Sequence, residues 1–155
     1  EGVIAALVFA ALDDQALLRD QYLENAQSLN EVLDALIFSY VDWVSEQPQF
    51  AKFLMLAHFR VMQSEHRDTL NEKNKLRNRK IITSISAYSN VDLLKSVPSE
   101  LVMSLVIGAT ESYCRVWLSK KVMTSPKNYR KILAKAAWDS LQNLADDLKI
   151  NQKGE

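Results

Sequence analysis

The sequence predicts an all-α domain of six main helices, and three observations carry that expectation. Its 155 residues include only three Gly and three Pro, too few turn-formers for a β-rich chain of this length. Apolar residues recur at helical rather than alternating spacing along most of the chain. Hydrophobic residues make up 48% and charged residues 25%, a balance that supports a buried core and argues against disorder. The length suits one domain over residues 1–150, followed by a polar, frayed tail at 151–155.

The elements follow in order. Residues 3–24 hold no Gly or Pro and read as the first helix, with an irregularity expected at Asp13-Asp14. Ser28-Leu29-Asn30-Glu31 is a capping box that opens the second, after which Leu29, Val32, Leu33, Leu36, Ile37, Tyr40 and Val44 keep helical spacing. Pro48 fits the first position of a third helix, rich in large groups such as Phe53, Met55, Phe59 and Met62. A fourth is expected over about residues 70–88, ending at Ser89-Asn90, with a connector over 91–97. Pro98-Ser99-Glu100 opens a fifth that runs to about Lys120, and Ser125-Pro126 a sixth that ends near Ile150.

The last two helices suggest a self-association surface. The fifth has only Glu111 and Arg115 as charges between Leu101 and Leu118, spaced to pair with each other. One face carries Leu101, Leu105, Gly108, Ala109, Ser112 and Val116, and the opposite face Met103, Ile107, Thr110, Cys114 and Trp117. A helix apolar on both faces needs cover on both sides. The sixth has a stripe of Leu133, Ala136, Ala137, Ser140, Leu141 and Leu144, whose small members admit a close helix. That stripe fits a domain core and a dimer interface equally. The two-sided fifth helix tips the expectation to a homodimer in which the fifth and sixth helices meet their symmetry mates as a four-helix interface.

Chemistry is sparse by comparison. His58 and His66 lack partners at metal-ligand spacing, so no metal site, cofactor or catalytic set is expected, and the chain reads as a non-enzyme. No glycine loop could cradle a phosphate, and Cys114, the lone cysteine, sits mid-helix in apolar company. The basic residues Lys73, Lys75, Arg77, Arg79 and Lys80 spread around a helix and read as a solvated face rather than a nucleic-acid surface. The apolar run over residues 3–12 is too short to span a membrane, so a soluble protein is expected. Phe38, Tyr40, Trp43, Phe53, Met55, Phe59 and Met62 crowd one stretch. They fit either a filled core or the walls of a ligand cavity.

A resemblance bears on that choice. Tyr40-Val41-Asp42-Trp43, Gln47-Pro48-Gln49-Phe50-Ala51-Lys52-Phe53-Leu54, the stretch from Leu105 through Gly108, Ala109, Tyr113, Cys114, Arg115 and Trp117 to Leu118, and Ala136-Ala137-Trp138 with Leu141 follow one another in order. Together they resemble the C-terminal effector-binding and dimerisation region of TetR-family transcriptional regulators. The resemblance implies an orthogonal and antiparallel bundle, a homodimer through the last two helices, and a cavity among the preceding ones for a small apolar effector. It also implies a cytoplasmic repressor whose helix-turn-helix head would precede Glu1, so that DNA is reached only through a part not in this chain. On that footing Met55, Phe59 and Met62 should line the cavity opposite Met103, Ile107 and Thr110, with Tyr40 or His58 as polar contacts. Leu105, Gly108, Ala109, Ser112, Val116, Leu133, Ala136, Ala137, Ser140, Leu141 and Leu144 should form the dimer face. The alternative is a helical protein–protein interaction module with no small-molecule ligand.

Overall fold

The computed structural model describes residues 1–89 and 94–154, and the described residues contain helices and no strand. Among the described residues six long helices follow in order: α1 (Gly2–Leu23), α2 (Leu29–Glu46), α3 (Pro48–Met62), α4 (Arg67–Ser86), α5 (Ser99–Leu118) and α6 (Arg130–Lys153). The all-helical expectation holds for these residues, with three differences of detail. Asp13 and Asp14 do not interrupt α1. A 3₁₀ turn at Pro126–Tyr129 precedes α6, and α6 continues through residues 151–153, where a frayed tail was expected. The expected end of the fourth helix and the connector over 91–97 fall partly on residues 90–93, outside the described residues.

Local chemistry explains the boundaries. Ser28 Oγ accepts from the Glu31 amide at 3.2 Å, and the Glu31 carboxylate accepts from the Gln27 amide at 2.7 Å. The capping box thus closes one residue further back than its usual form. Pro48 occupies the first turn of α3, where its missing N–H leaves no bond unmade. Gln47 ends α2 by donating its amide to the Trp43 carbonyl at 2.9 Å. Asp14 then pins this corner to α1, accepting from Trp43 Nε1 at 2.8 Å and Gln47 Nε2 at 2.9 Å. The neighbouring Asp13 reaches α4 through Lys73 at 3.1 Å. Both carboxylates bond across helices, so neither competes with the backbone of its own.

Two apolar clusters hold the bundle. The larger joins α2, α5 and α6 through Val32, Leu33, Ile37, Val41, Val106, Cys114, Ala134 and Ala137, with Ile81 and Ile85 from α4. The smaller joins α1, α3 and α4 through Ala5, Val8, Leu12, Ala57, Val61 and Leu70. A buried polar junction ties α1 and α6 to α2. Asp42, 4% exposed, accepts from Tyr22 at 2.7 Å and takes both oxygens to Arg130 Nη1 at 3.0 and 2.8 Å. The Arg130 guanidinium also lies 4.4 Å over the Phe38 ring, a cation–π contact. Hydrogen bonding to Asp42, reinforced by burial, pushes the Tyr22 phenol up to about 12.

Helix α5 divides into three ridges, because residues four apart stack along one line of a helix. Val102, Val106, Thr110, Cys114 and Leu118 are buried in the bundle. Met103, Ile107, Glu111 and Arg115 line a cavity. On the third side Leu101, Ala109 and Ser112 are exposed, and Leu105, Gly108 and Val116 are half-buried. Two of the expected interface positions on α6 need correction. Ala137 (2% exposed) and Leu141 (4%) are core residues of this chain's own bundle, as the stripe turns them toward α2 and α5. Leu133, Ala136, Ser140 and Leu144 are half-buried.

Candidate ligand cavity

A cavity of about 460 Å³ lies where α1 to α5 converge, within the range that holds small ligands. Apolar lining comes from all five helices, with Leu12 on α1, Leu36 and Trp43 on α2, Leu54 and Met55 on α3, Ile81 on α4, and Met103 and Ile107 on α5. The polar side comes from Gln15 and Arg19 on α1, Asn74, Arg77 and Asn78 on α4, and Glu111 and Arg115 on α5. Tyr40 and His58 line it as well.

Five of the eight residues expected to line a cavity do so: Tyr40, Met55, His58, Met103 and Ile107. Three do not. Phe59 is 69% exposed, on the outer side of α3. Met62 packs against the smaller apolar cluster, one helical turn beyond the cavity floor. Thr110 is fully buried with no partner for its Oγ1, on the core ridge of α5 rather than the cavity ridge. The expected wall was apolar, and the observed one is mixed.

Sequence reasoning missed the charged members, although a signal was there. Ala5, Val8, Leu12, Gln15 and Arg19 form one stripe of α1 at helical spacing, and every member is buried. Leu70, Asn74, Arg77, Ile81 and Ile85 form the matching stripe of α4, buried at its apolar members. Polar residues that keep the phase of a core stripe are the mark of a wet or ligand-holding interior.

The arginines are incompletely satisfied. Arg19 is 2% exposed, and its Nε and Nη2 both donate to one oxygen of Asp20, at 3.1 and 2.9 Å. Its Nη1 is sealed from solvent and has no partner. Arg77 donates only to neutral oxygens, Asn74 Oδ1 and Gln15 Oε1, both at a long 3.4 Å, while its Nε is sealed and unpartnered. Most buried polar groups find a partner, so these two sealed donors, on residues that line the cavity but not themselves in reach of its space, are exceptions.

The electrostatics agree with the geometry. Burial lowers the Arg77 pKa, and the like charge of Arg19 lowers it further. Burial also raises Glu111, outweighing the opposing pull of Arg115 and Arg77. Glu111 lies within 4.0 Å of no cation among the described residues, so the pairing with Arg115 that the spacing suggested is not made. His58 is held toward its neutral form by burial, then by Arg77. Tyr40 is raised, chiefly by burial and next by Glu111. No three His, Cys, Asp or Glu side chains group to hold a metal among the described residues.

The lysines of α4 have carboxylate partners. Lys73 meets Asp13 at 3.1 Å, Lys75 meets Glu72 at 3.1 Å, and Lys80 meets Asp20 at 3.5 Å. The solvated-face reading therefore fits Lys75, Arg79 and Lys80, which are exposed, and fails for Arg77. Helix α5 is long and apolar enough to cross a membrane by length and composition alone, yet its core ridge packs within the bundle. No protein-family model matches the sequence, and no curated protein matches it.

Proposed function

We propose that this chain is the ligand-sensing and dimerisation domain of a TetR-like transcriptional regulator, acting as a repressor in the cytoplasm. A small molecule with an apolar body would occupy the cavity and control the affinity of a separate DNA-reading head. The observation that carries this reading is the cavity itself, in which five helices leave about 460 Å³ unfilled at the junction of two cores. Close packing is the rule in protein interiors, and a void of this size at the meeting point of so many elements is characteristic of a binding site.

The dimer rests on the outward ridge of α5, where Leu101 is 41% exposed beside Ala109 and Ser112. Small side chains on that ridge and at Ala136 and Ser140 of α6 would let two copies cross closely. The same ridge would serve a different protein partner in an interaction module, but such a module has no use for the cavity. The paired lysines of α4 also favour a domain that does not itself hold DNA.

Sedimentation velocity at micromolar concentration tests the association. The expected species is a dimer burying on the order of 1,500 Å² or more in total. Ala109→Glu should split it into folded monomers, whereas Ala137→Glu should unfold the chain, since that side chain is in the core. A wild-type monomer would refute the dimer. A protein that binds no small amphiphile would refute the sensing role.

A further inference from the structure

We infer that the cavity takes a neutral amphipathic molecule that donates a hydroxyl or N–H hydrogen bond to the Glu111 carboxyl. Its apolar body lies along Leu54, Met55, Met103 and Ile107. The inference rests on the ligand-binding reading above and adds the chemical class of the ligand.

Glu111 is the starting point. It stands on the cavity ridge of α5, one turn after Ile107 and one before Arg115, and it supplies the one carboxyl among the lining residues. Among the described residues it has no hydrogen bond and no cation within ion-pair distance. Its oxygens are nonetheless not sealed, unlike Arg19 Nη1, Arg77 Nε and Thr110 Oγ1. They keep surface that a water molecule reaches, although the residue is half-buried and burial raises its pKa. Tyr40 and Arg77, both lining the cavity, sense its charge. An acceptor so placed is short of donors, and a ligand donor restores what burial removed.

Two further polar groups share this condition. The Tyr40 hydroxyl on α2 and the His58 ring on α3 line the cavity, make no hydrogen bond among the described residues, and are not sealed. Burial, and then Arg77, holds His58 toward its neutral form. A phenol and a neutral imidazole each donate and accept, so they suit a ligand head that does both.

Charge argues for a neutral head. The lining carries Arg19, Arg77 and Arg115 against Glu111 alone, so a cation would meet net repulsion. An anion would face Glu111 and find the deeper guanidinium groups already occupied. Arg19 gives Nε and Nη2 to Asp20, and Arg77 gives Nη1 and Nη2 to Asn74 and Gln15. The remaining nitrogen of each is sealed, and Arg115 is exposed. A hydroxyl or N–H donor satisfies Glu111 without adding charge. The apolar lining of all five helices then buries the body of the ligand, and Met55 and Met103 adapt to its shape.

Four ligands that share an octyl chain test this by displacing the fluorescent probe N-phenyl-1-naphthylamine at pH 8. 1-Octanol should displace it at about tenfold lower concentration than methyl octyl ether, and at lower concentration than octylammonium or octanoate. The ether is the more hydrophobic of the neutral pair, so simple partition would favour it. Glu111→Met should erase the preference for the alcohol over the ether, and an unaltered helical circular dichroism spectrum shows that the variant folds. Glu111→Gln keeps an acceptor without the charge and should retain part of the preference.

If the ether matches the alcohol on the wild-type protein, or if Glu111→Met keeps the full preference, the donor assignment falls while ligand binding stands. If octylammonium displaces the probe at the lowest concentration, the assignment is overturned in favour of a cation, and if octanoate does, in favour of an anion. If neither the probe nor any octyl ligand binds, the ligand-sensing reading fails together with this one.

Discussion

Replacing Arg19 with methionine should stabilise the ligand-free protein, an outcome opposite to that of most core substitutions. Arg19 is 2% exposed, and one of its terminal nitrogens is buried without a partner. An unsatisfied buried donor costs about 1–3 kcal/mol, with charged groups at the upper end. Against that, the bonds to Asp20 end on a carboxylate that is 44% exposed, where an ion pair contributes about 0.2–1 kcal/mol. Methionine keeps most of the stem's packing and removes the orphan. Asp20 keeps water and Lys80 at 3.5 Å. The difference favours the variant by about 1–2 kcal/mol, in line with apolar replacements of buried charge elsewhere.

Guanidinium unfolding measures it. Protein concentration must be held constant, because association shifts apparent stability. The midpoint should rise with the slope unchanged. In a thermal scan the gain corresponds to about 3–6 °C for a domain of this size. A loss of 1 kcal/mol or more would refute the reasoning, since it would make Arg19 a structural strut.

Arg130→Met should go the other way. It strips Asp42, 4% exposed, of two hydrogen bonds and should cost about 2–3 kcal/mol by the same unfolding assay, the low end for a broken buried pair because Arg130 itself is 34% exposed. The Cys114 thiol, 1% exposed and pushed up to about 12 by burial and then by Glu111, should resist a thiol reagent at pH 8 until denaturant is added; labelling of the folded protein within minutes would contradict this. Phe59→Ala should cost under about 1 kcal/mol, because 69% exposure leaves little apolar burial to lose, where a core phenylalanine costs about 3–5. Burial raises Glu111 above its ordinary 4.5, so its stability contribution is present below that value and lost as pH rises through the folded pKa. Glu111→Gln should therefore gain stability over wild type at pH 8 and not at pH 4, and an equal gain at both would refute the burial argument.

Much of the fold was legible because helix ends carry chemical marks. Ser28 with Glu31 and Pro48 each marked a start to within a residue or two, whereas Pro126 opened a 3₁₀ turn four residues ahead of α6, and the two faces read on α5 became three ridges. Met103 and Ile107, expected at a cavity on the footing of the resemblance, share the ridge of α5 that lines one. The same expectation misplaced Thr110 by one ridge, because a 100° step per residue leaves neighbouring ridges hard to distinguish without knowing which helices pack on which side. Phe59 was misjudged for a related reason, since α3 carries large apolar groups on nearly every side and only Ala51, Ala57 and Val61 mark its buried face. Ala137 and Leu141 illustrate a third limit, as small and apolar residues suit a core and an interface alike. The charged cavity side was overlooked because Arg77 stands within a basic run. Its membership of the stripe Leu70, Asn74, Arg77, Ile81 and Ile85 outweighs its neighbours in sequence.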